Sequence, residues 1–311
     1  MKRRQFLELG IVTATAASVG ALPASAQAKM VLRATDVHPL GYPTVEAVVR
    51  MGKKLEAATN GRLSIQMFPS MQLGGEKEMI EQAQLGALQM ARISVGPMGP
   101  LVPEMNVFNL PFMFRDNAHM EKVIDGQIGD EIMKKLSDHP TAGLIGLCWM
   151  NAGTRNVYNA KKPITQLSDL KGLKIRMMGN PLFVDTMNAM GGNGISMGYG
   201  EVFTALQTGV IDGAENNPPS LYTANHFKAG AKYYTQTNHL IIPEILVMSK
   251  MAWDKLPPAD QAAVKKAARE AQLEQRQLWD AAVADYTKKL KGEGVEFIEI
   301  DNKPFFDATA P

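Results

Sequence analysis

The sequence predicts an α/β protein built as two lobes, and three observations carry the prediction. Stretches with strand-like alternation take turns with stretches of helical periodicity, the pattern of a largely parallel sheet flanked by helices. A helical stretch near the end, about 33 residues long, would extend near 50 Å at 1.5 Å per residue, longer than one lobe of a chain this size. The 311 residues also suit about two domains at roughly 150 residues each. No repeat, low-complexity tract or flexible linker separates two halves, so the lobes are expected to exchange several crossings of the chain.

Taken in order, Val31–Ala34 is a short apolar strand, followed by the turn residues His38-Pro39 and Tyr42-Pro43. Thr44 is placed to cap a helix carrying Val45, Val48, Val49, Gly52 and Leu55 on one face, ended by Asn60-Gly61. Leu63, Ile65 and Met67 alternate with Ser64 and Gln66 as a half-buried strand. Gly74-Gly75 opens a helix through Met79, Ile80, Ala83 and Ala87, and residues 88–93 form a strand interrupted by one charge, Arg92. A helix over roughly 117–136 precedes a strand over 143–150. In the second half Leu173, Ile175 and Met177 share one face of a strand, and Lys174, Arg176 and Met178 share the other. Helices follow over about 181–190 and 201–208, the second capped by Gly209. Residues 210–214 form a strand, and Pro218-Pro219 fix a loop at its end. Pro258 starts the long helix; Gly292 and Gly294 end it.

Residues 1–28 read as an export address. Lys2-Arg3-Arg4 is a charged start, a mildly apolar stretch runs from Leu9 to Leu22, and Ala26-Gln27-Ala28 is a small-x-small cleavage site. Arg3-Arg4-Gln5-Phe6-Leu7 also resembles a twin-arginine signal. The expected location is the periplasm, since no later segment reaches the roughly 20 apolar residues of a membrane span. The chain carries 33 basic and 31 acidic residues, and without Lys2, Arg3, Arg4 and Glu8 the signs balance. That balance argues against nucleic acid and anionic lipid as partners, both of which require a basic face. Cys148, the only cysteine, lies in an apolar run and is expected to be a buried thiol.

Most catalytic signatures are absent: no Walker loop, no G-x-G-x-x-G, no H-E-x-x-H. The five histidines and one cysteine lack metal spacing, so no metal and no cofactor are expected. Gly194-Ile-Ser196-Met-Gly198 does match G-x-S-x-G, and Asp212 with His226 or His239 would complete a triad in chain order. A nucleophile elbow needs a strong strand before the serine and a helix directly after it. Met190-Gly-Gly-Asn193 reads instead as a helix end and loop. A secreted serine esterase using Ser196 is thus the remote alternative, and the expectation is that the protein is not an enzyme.

Two segments carry a specific pattern: Leu170-Lys-Gly-Leu-Lys-Ile-Arg176, and Gly200-Glu-Val-Phe-Thr-Ala-Leu-Gln-Thr-Gly-Val-Ile-Asp-Gly-Ala-Glu-Asn216. Gly153-Thr-Arg155, Leu73–Ile80, Thr237-Asn-His239 and Met248–Leu256 extend it over nearly the whole chain beyond residue 28. In these segments the chain resembles the solute-binding proteins of tripartite ATP-independent periplasmic (TRAP) transporters, the DctP family. The resemblance implies a two-lobed periplasmic binding protein-like fold with crossing strands and a long lobe-spanning helix. Lobe I would comprise residues 29–152 plus 241–280, and lobe II residues 153–240 plus 281–311. It implies a monomeric receptor that closes on an organic acid and delivers it to the membrane subunits of a TRAP permease.

An organic anion needs fixed positive charge, and arginine supplies a planar fork for carboxylate that cannot lose its proton. Arg176 lies on the polar face of its strand. The resemblance implies that Arg176 holds the substrate carboxylate, Arg155 assists and Asn216 shares the contact. His38, Glu76 and Arg92 are candidate contacts from the other lobe, and Glu215 and His239 are weaker candidates. Arg33-Ala-Thr-Asp-Val-His38-Pro and Tyr42-Pro-Thr44 resemble, within the family, binders of hexuronates such as glucuronate and galacturonate. The alternative is a C4-dicarboxylate, for which Arg92 would be the second clamp; a receptor for an ATP-driven importer is a third reading. The chain ends at Phe305–Pro311, where the family usually continues through another helix, so a truncated C-terminus is one expectation.

Overall fold

Residues 29–310 are described by a computed structural model; the export-signal reading lies outside them. The strands are β1 (Met30–Thr35), β2 (Leu63–Phe68), β3 (Met90–Ser94), β4 (Leu144–Asn159), β5 (Lys174–Met177), β6 (Asn193–Ser196), β7 (Gly213–Asn216), β8 (Tyr233–Ser249) and β9 (Glu296–Ile298). They form one mixed sheet among the described residues, in the order β2-β1-β3-β8-β4-β7-β5-β6, with β9 also on β8.

β4 and β8 are the backbone of the molecule. They run antiparallel along most of their length, β8 bordering β3 through 244–248 and β4 bordering β7 through 156–159. Two packed bodies thereby share a pair of continuous strands. One body gathers β1–β3 and the helices Pro43–Ala58, Glu76–Gln84 and Gln127–Asp138, with one apolar cluster around Leu32 and Met51 and another around Met79, Ile93, Leu136 and Val247. The other gathers β5–β7 with the helices Pro181–Ala189 and Val202–Gln207, around Ile175, Met177, Phe183, Leu206 and Tyr234.

Between these cores the ladder slips, at Asn151/Thr154 and again at Arg155/Val157. Pro243 faces Asn151 here, where a residue without an N–H breaks no required bond. Gly153 has φ +66°, and a Cβ there would come 2.8 Å from the Trp279 indole nitrogen. Only glycine fits both the backbone and the space. Trp279 belongs to the helix Pro258–Gly292, whose 35 residues pack on helix Pro43–Ala58, on β4 and on helix Pro218–Thr223. The long helix therefore spans both bodies.

Five local expectations are corrected. Thr44 is not the cap: the helix starts at Pro43, and the Thr44 hydroxyl donates to Asp36 at 2.6 Å. The helix over 117–136 is two, Asn117–Ile124 and Gln127–Asp138, split at Asp125-Gly126. Asp125 turns out of the first helix to receive Arg269 and Arg276 of the long helix. The strand expected over 210–214 starts at Gly213, because Ile211 N–H bonds back to Ala205 in the preceding helix. Pro218-Pro219 do not make a loop but begin a helix capped by Asn217, where a missing N–H costs nothing. The strand over 143–150 also continues to Asn159; its polar residues Asn151, Thr154, Arg155 and Asn156 masked that continuation.

Candidate functional site

A cavity of about 30 Å³ lies where the two bodies meet. One body supplies Val37, His38, Glu76, Arg92, Ser94 and Glu244; the other supplies Arg155, Arg176, Met178, Tyr199, Asn216, Asn217 and Ser220. A larger vestibule of about 710 Å³ adjoins it and shares Glu76, Arg176, Met178 and Tyr199. All six primary candidates from the sequence thus line one cavity.

Their electrostatics differ sharply. Arg92 is 2% exposed; both of its Nη atoms are paired with acids, while its Nε is buried without a hydrogen-bond partner. It donates to Asp36 at 2.5 Å through Nη2, and through Nη1 to Glu76 at 2.8 Å and to Glu244. Burial alone would depress its proton affinity, but Asp36, Glu244 and Glu76 together raise its pKa well above the ordinary value. Arg155 is likewise held. Its Nε donates to Glu215 Oε2 at 2.5 Å, Nη2 to Glu215 Oε1 at 2.8 Å, and Nη1 to Asn216 Oδ1 at 3.0 Å.

Arg176 is 3% exposed and has no carboxylate within ion-pair distance among the described residues. Only its Nε is bonded, to the Met197 carbonyl at 2.8 Å, while the guanidinium lies 5.9 Å from the Tyr199 ring centre. Burial, with Arg155 nearby and Glu215 only partly opposing, shifts its pKa below the ordinary value. A buried cation without a counter-ion is costly unless an anion comes to it. The Ser94 and Tyr199 hydroxyls and His38 Nδ1 are also buried without hydrogen-bond partners. These are donors and acceptors suited to a polyhydroxylated solute.

The aromatic frame joins the two sides. His38 stacks on Tyr42 at 3.7 Å and meets Tyr199 edge-on at 5.5 Å. Tyr42 OH and Ser220 Oγ share a hydrogen bond of 2.9 Å between the bodies. Burial holds His38 down at about 3, so it is a neutral ring at ordinary pH.

The two weaker candidates sit behind this surface. Glu215 is fully buried beneath Arg155, and His239 lies 3.8 Å from Glu215 with its Nδ1 bonded to Thr237. Burial lowers His239 to about 4, so it is neutral and makes no ion pair. Glu244, Asp36, Ser94, Tyr199 and Ser220 were missed from the sequence. For Glu244 a signal existed, since it is the one charge in Leu240-Ile-Ile-Pro-Glu-Ile-Leu-Val-Met248, the same signal that singled out Arg92.

The paper triad does not assemble. Ser196 ends β6 exposed, and Met197-Gly198 rather than a helix follows it. Asp212 accepts from Lys174 N, His226 bonds Tyr158 OH at 2.7 Å, and His239 bonds Thr237. Cys148 is buried, which pushes its thiol up to about 12. Among the described residues no cluster of His, Cys, Asp and Glu is arranged to hold a metal, and no helix is long and apolar enough to cross a membrane.

A cavity between two bodies joined by paired strands, with an unpaired guanidinium inside, defines a solute-binding receptor. The chain belongs to the bacterial extracellular solute-binding protein family 7 (DctP), whose model matches residues 34–311. A TRAP periplasmic solute-binding protein from Pseudomonas putida F1, solved with bound D-glucuronate, is 59% identical, with a TM-score of 0.88 over 90% of this chain and 91% of that one. A Citrobacter koseri TRAP solute-binding protein with bound D-glucuronate is 49% identical, with a TM-score of 0.89 over 91% of this chain and 93% of that one. Its open form without ligand gives 0.80 at 48% identity over 90% and 93%. The conformation described here is therefore nearer the ligand-bound form.

Proposed function

We propose that this receptor works in the periplasm, binds a hexuronate and hands it to the membrane subunits of a TRAP permease. Arg176 grips the single carboxylate; Arg155 and Asn216 support that grip; His38, Glu76, Arg92, Ser94 and Tyr199 meet the hydroxyls. The lobes are residues 29–152 with 241–280 and 153–240 with 281–311. The observation that carries this reading is the distribution of counter-ions. Arg176 lacks a carboxylate, whereas Arg92 already has three and Arg155 has Glu215. A C4-dicarboxylate needs a second available cation, and Arg92 does not supply one.

The cavity is smaller than the roughly 300 Å³ typical of ligand pockets, so the solute enters with the lobes parted. Contacts made from both lobes then stabilise only the shut state. Calorimetry with D-glucuronate, D-galacturonate and succinate tests the reading. A uronate should bind and succinate should not. Arg176→Ala should weaken uronate binding about 30-fold or more, taking about 2–5 kcal/mol for one member of a buried charge pair. Equal affinity in the variant would remove Arg176 from the role.

A further inference from the structure

We infer that Glu244 sets the charge specificity of the cavity, admitting a sugar acid with one carboxylate and rejecting the corresponding acid with two. The inference rests on the uronate reading and adds to it a residue that turns the wrong solute away. The cavity is electrically polarised. Its Arg176 end carries an unmatched positive charge on β5. The other wall carries one cation, Arg92, against Asp36, Glu76 and Glu244. In sheet order β8, which bears Glu244, is separated from β5 by β4 and β7. Both poles nonetheless line the one cavity.

A hexuronate matches this polarity. Its carboxylate meets Arg176, and its far hydroxyls donate to acidic oxygens. Oxidising that far carbon to a second carboxylate removes the hydroxyl donor there and places like charges together, in a site too dry to screen them. Glu244 is the wall member best placed to enforce this. It is buried, lines the cavity, and is held there by Arg92 Nη1, whose two N–H bonds also serve Glu76. Asp36 takes the other arm of the guanidinium, a hydrogen bond from Thr44 and the His38 amide, and does not line the cavity.

Glu244 is also the wall acid whose charge can be switched. Burial pushes it up to about 7, with Glu76 adding to the rise and Arg92 and Arg155 opposing it. The other groups facing it are His38, held neutral by burial; Asp36, which despite burial stays below its ordinary range beside Arg92; and Tyr42, whose phenol burial raises. Below pH 7 Glu244 gains a proton, and the wall loses one negative charge.

The test measures affinities for D-glucuronate and D-glucarate by calorimetry on the mature protein and on Glu244→Gln. At pH 8 the unaltered protein should prefer glucuronate by about 30-fold or more. In Glu244→Gln the preference should shrink about tenfold, through tighter glucarate binding. The ring and open-chain shapes differ equally for both proteins, so the change in preference isolates the charge. A preference unchanged by the substitution overturns the inference. So does an unaltered protein that binds the two acids within threefold. If the variant does not fold, the unaltered protein decides alone: between pH 8 and pH 6 glucarate should gain about tenfold on glucuronate, and a flat ratio overturns the inference. Failure of glucuronate to bind the folded protein at all defeats the uronate reading itself.

Discussion

Arg92 and Arg176 are the same residue type, equally buried, on opposite walls of one cavity, and they are built for different tasks. Arg92 is locked by Asp36, Glu76 and Glu244, while Arg176 is held only by the Met197 carbonyl. Burial and charge do not separate an arginine already paired inside the protein from one left open to an anion; the number of acids already spent on it does. Arg155 is intermediate, tied to Glu215 yet aimed by Asn216 along the cavity.

The largest expected effect comes from breaking the locked side. Arg92→Leu strands the buried Asp36 and Glu244 and the half-buried Glu76, and removing one partner from such a network typically costs about 3–5 kcal/mol. Chemical denaturation of the ligand-free protein should show that loss. The matching change on the other side, Arg176→Met, should leave ligand-free stability within about 1 kcal/mol, or raise it, because a desolvated unpaired charge is removed. The comparison collapses if the two variants lose stability alike.

Binding should invert the order. Arg176→Lys should also bind uronate poorly, since an ammonium cannot reproduce the fork; full affinity in that variant would show that position, not shape, matters. Next comes the contact between walls. Tyr42→Phe deletes the hydrogen bond to Ser220, worth about 1 kcal/mol, and should weaken binding about fivefold without lowering the stability of either core. Near neutral pH the smallest effect is on pH dependence. His38, His226 and His239 are lowered by burial to about 3, 3 and 4. Unfolded histidines bind protons near 6.5, so this stability is present above pH 6.5 and drains as pH falls toward 3. Melting temperatures across that range should fall, and His226→Phe should flatten the slope.

The alternation of elements and the long helix were legible because periodicity records burial, and burial decides elements. Arg176 was legible from its place opposite Ile175 and Met177. The uncoupled ends of the reading have physical causes. Prolines 218 and 219 read as breakers, but at the first turn of a helix the missing donors are harmless. The strand read over 143–150 stopped short of Asn159 because the polar residues Asn151, Thr154, Arg155 and Asn156 break the apolar run. Arg92 looked available because its partners Asp36, Glu76 and Glu244 come from three separate stretches, which local pattern cannot bring together.

The strand pair at the centre has a consequence for assembly on the ribosome. β3 has β1 on one side but finds its other neighbour only in β8, with Ala91 set against Val247, so the first body cannot close its sheet until most of the chain has been made. A nascent fragment stopping before residue 240 would display β3 as a raw edge inviting intermolecular pairing. Such non-local closure predicts slow, late folding, with neither jaw able to mature alone.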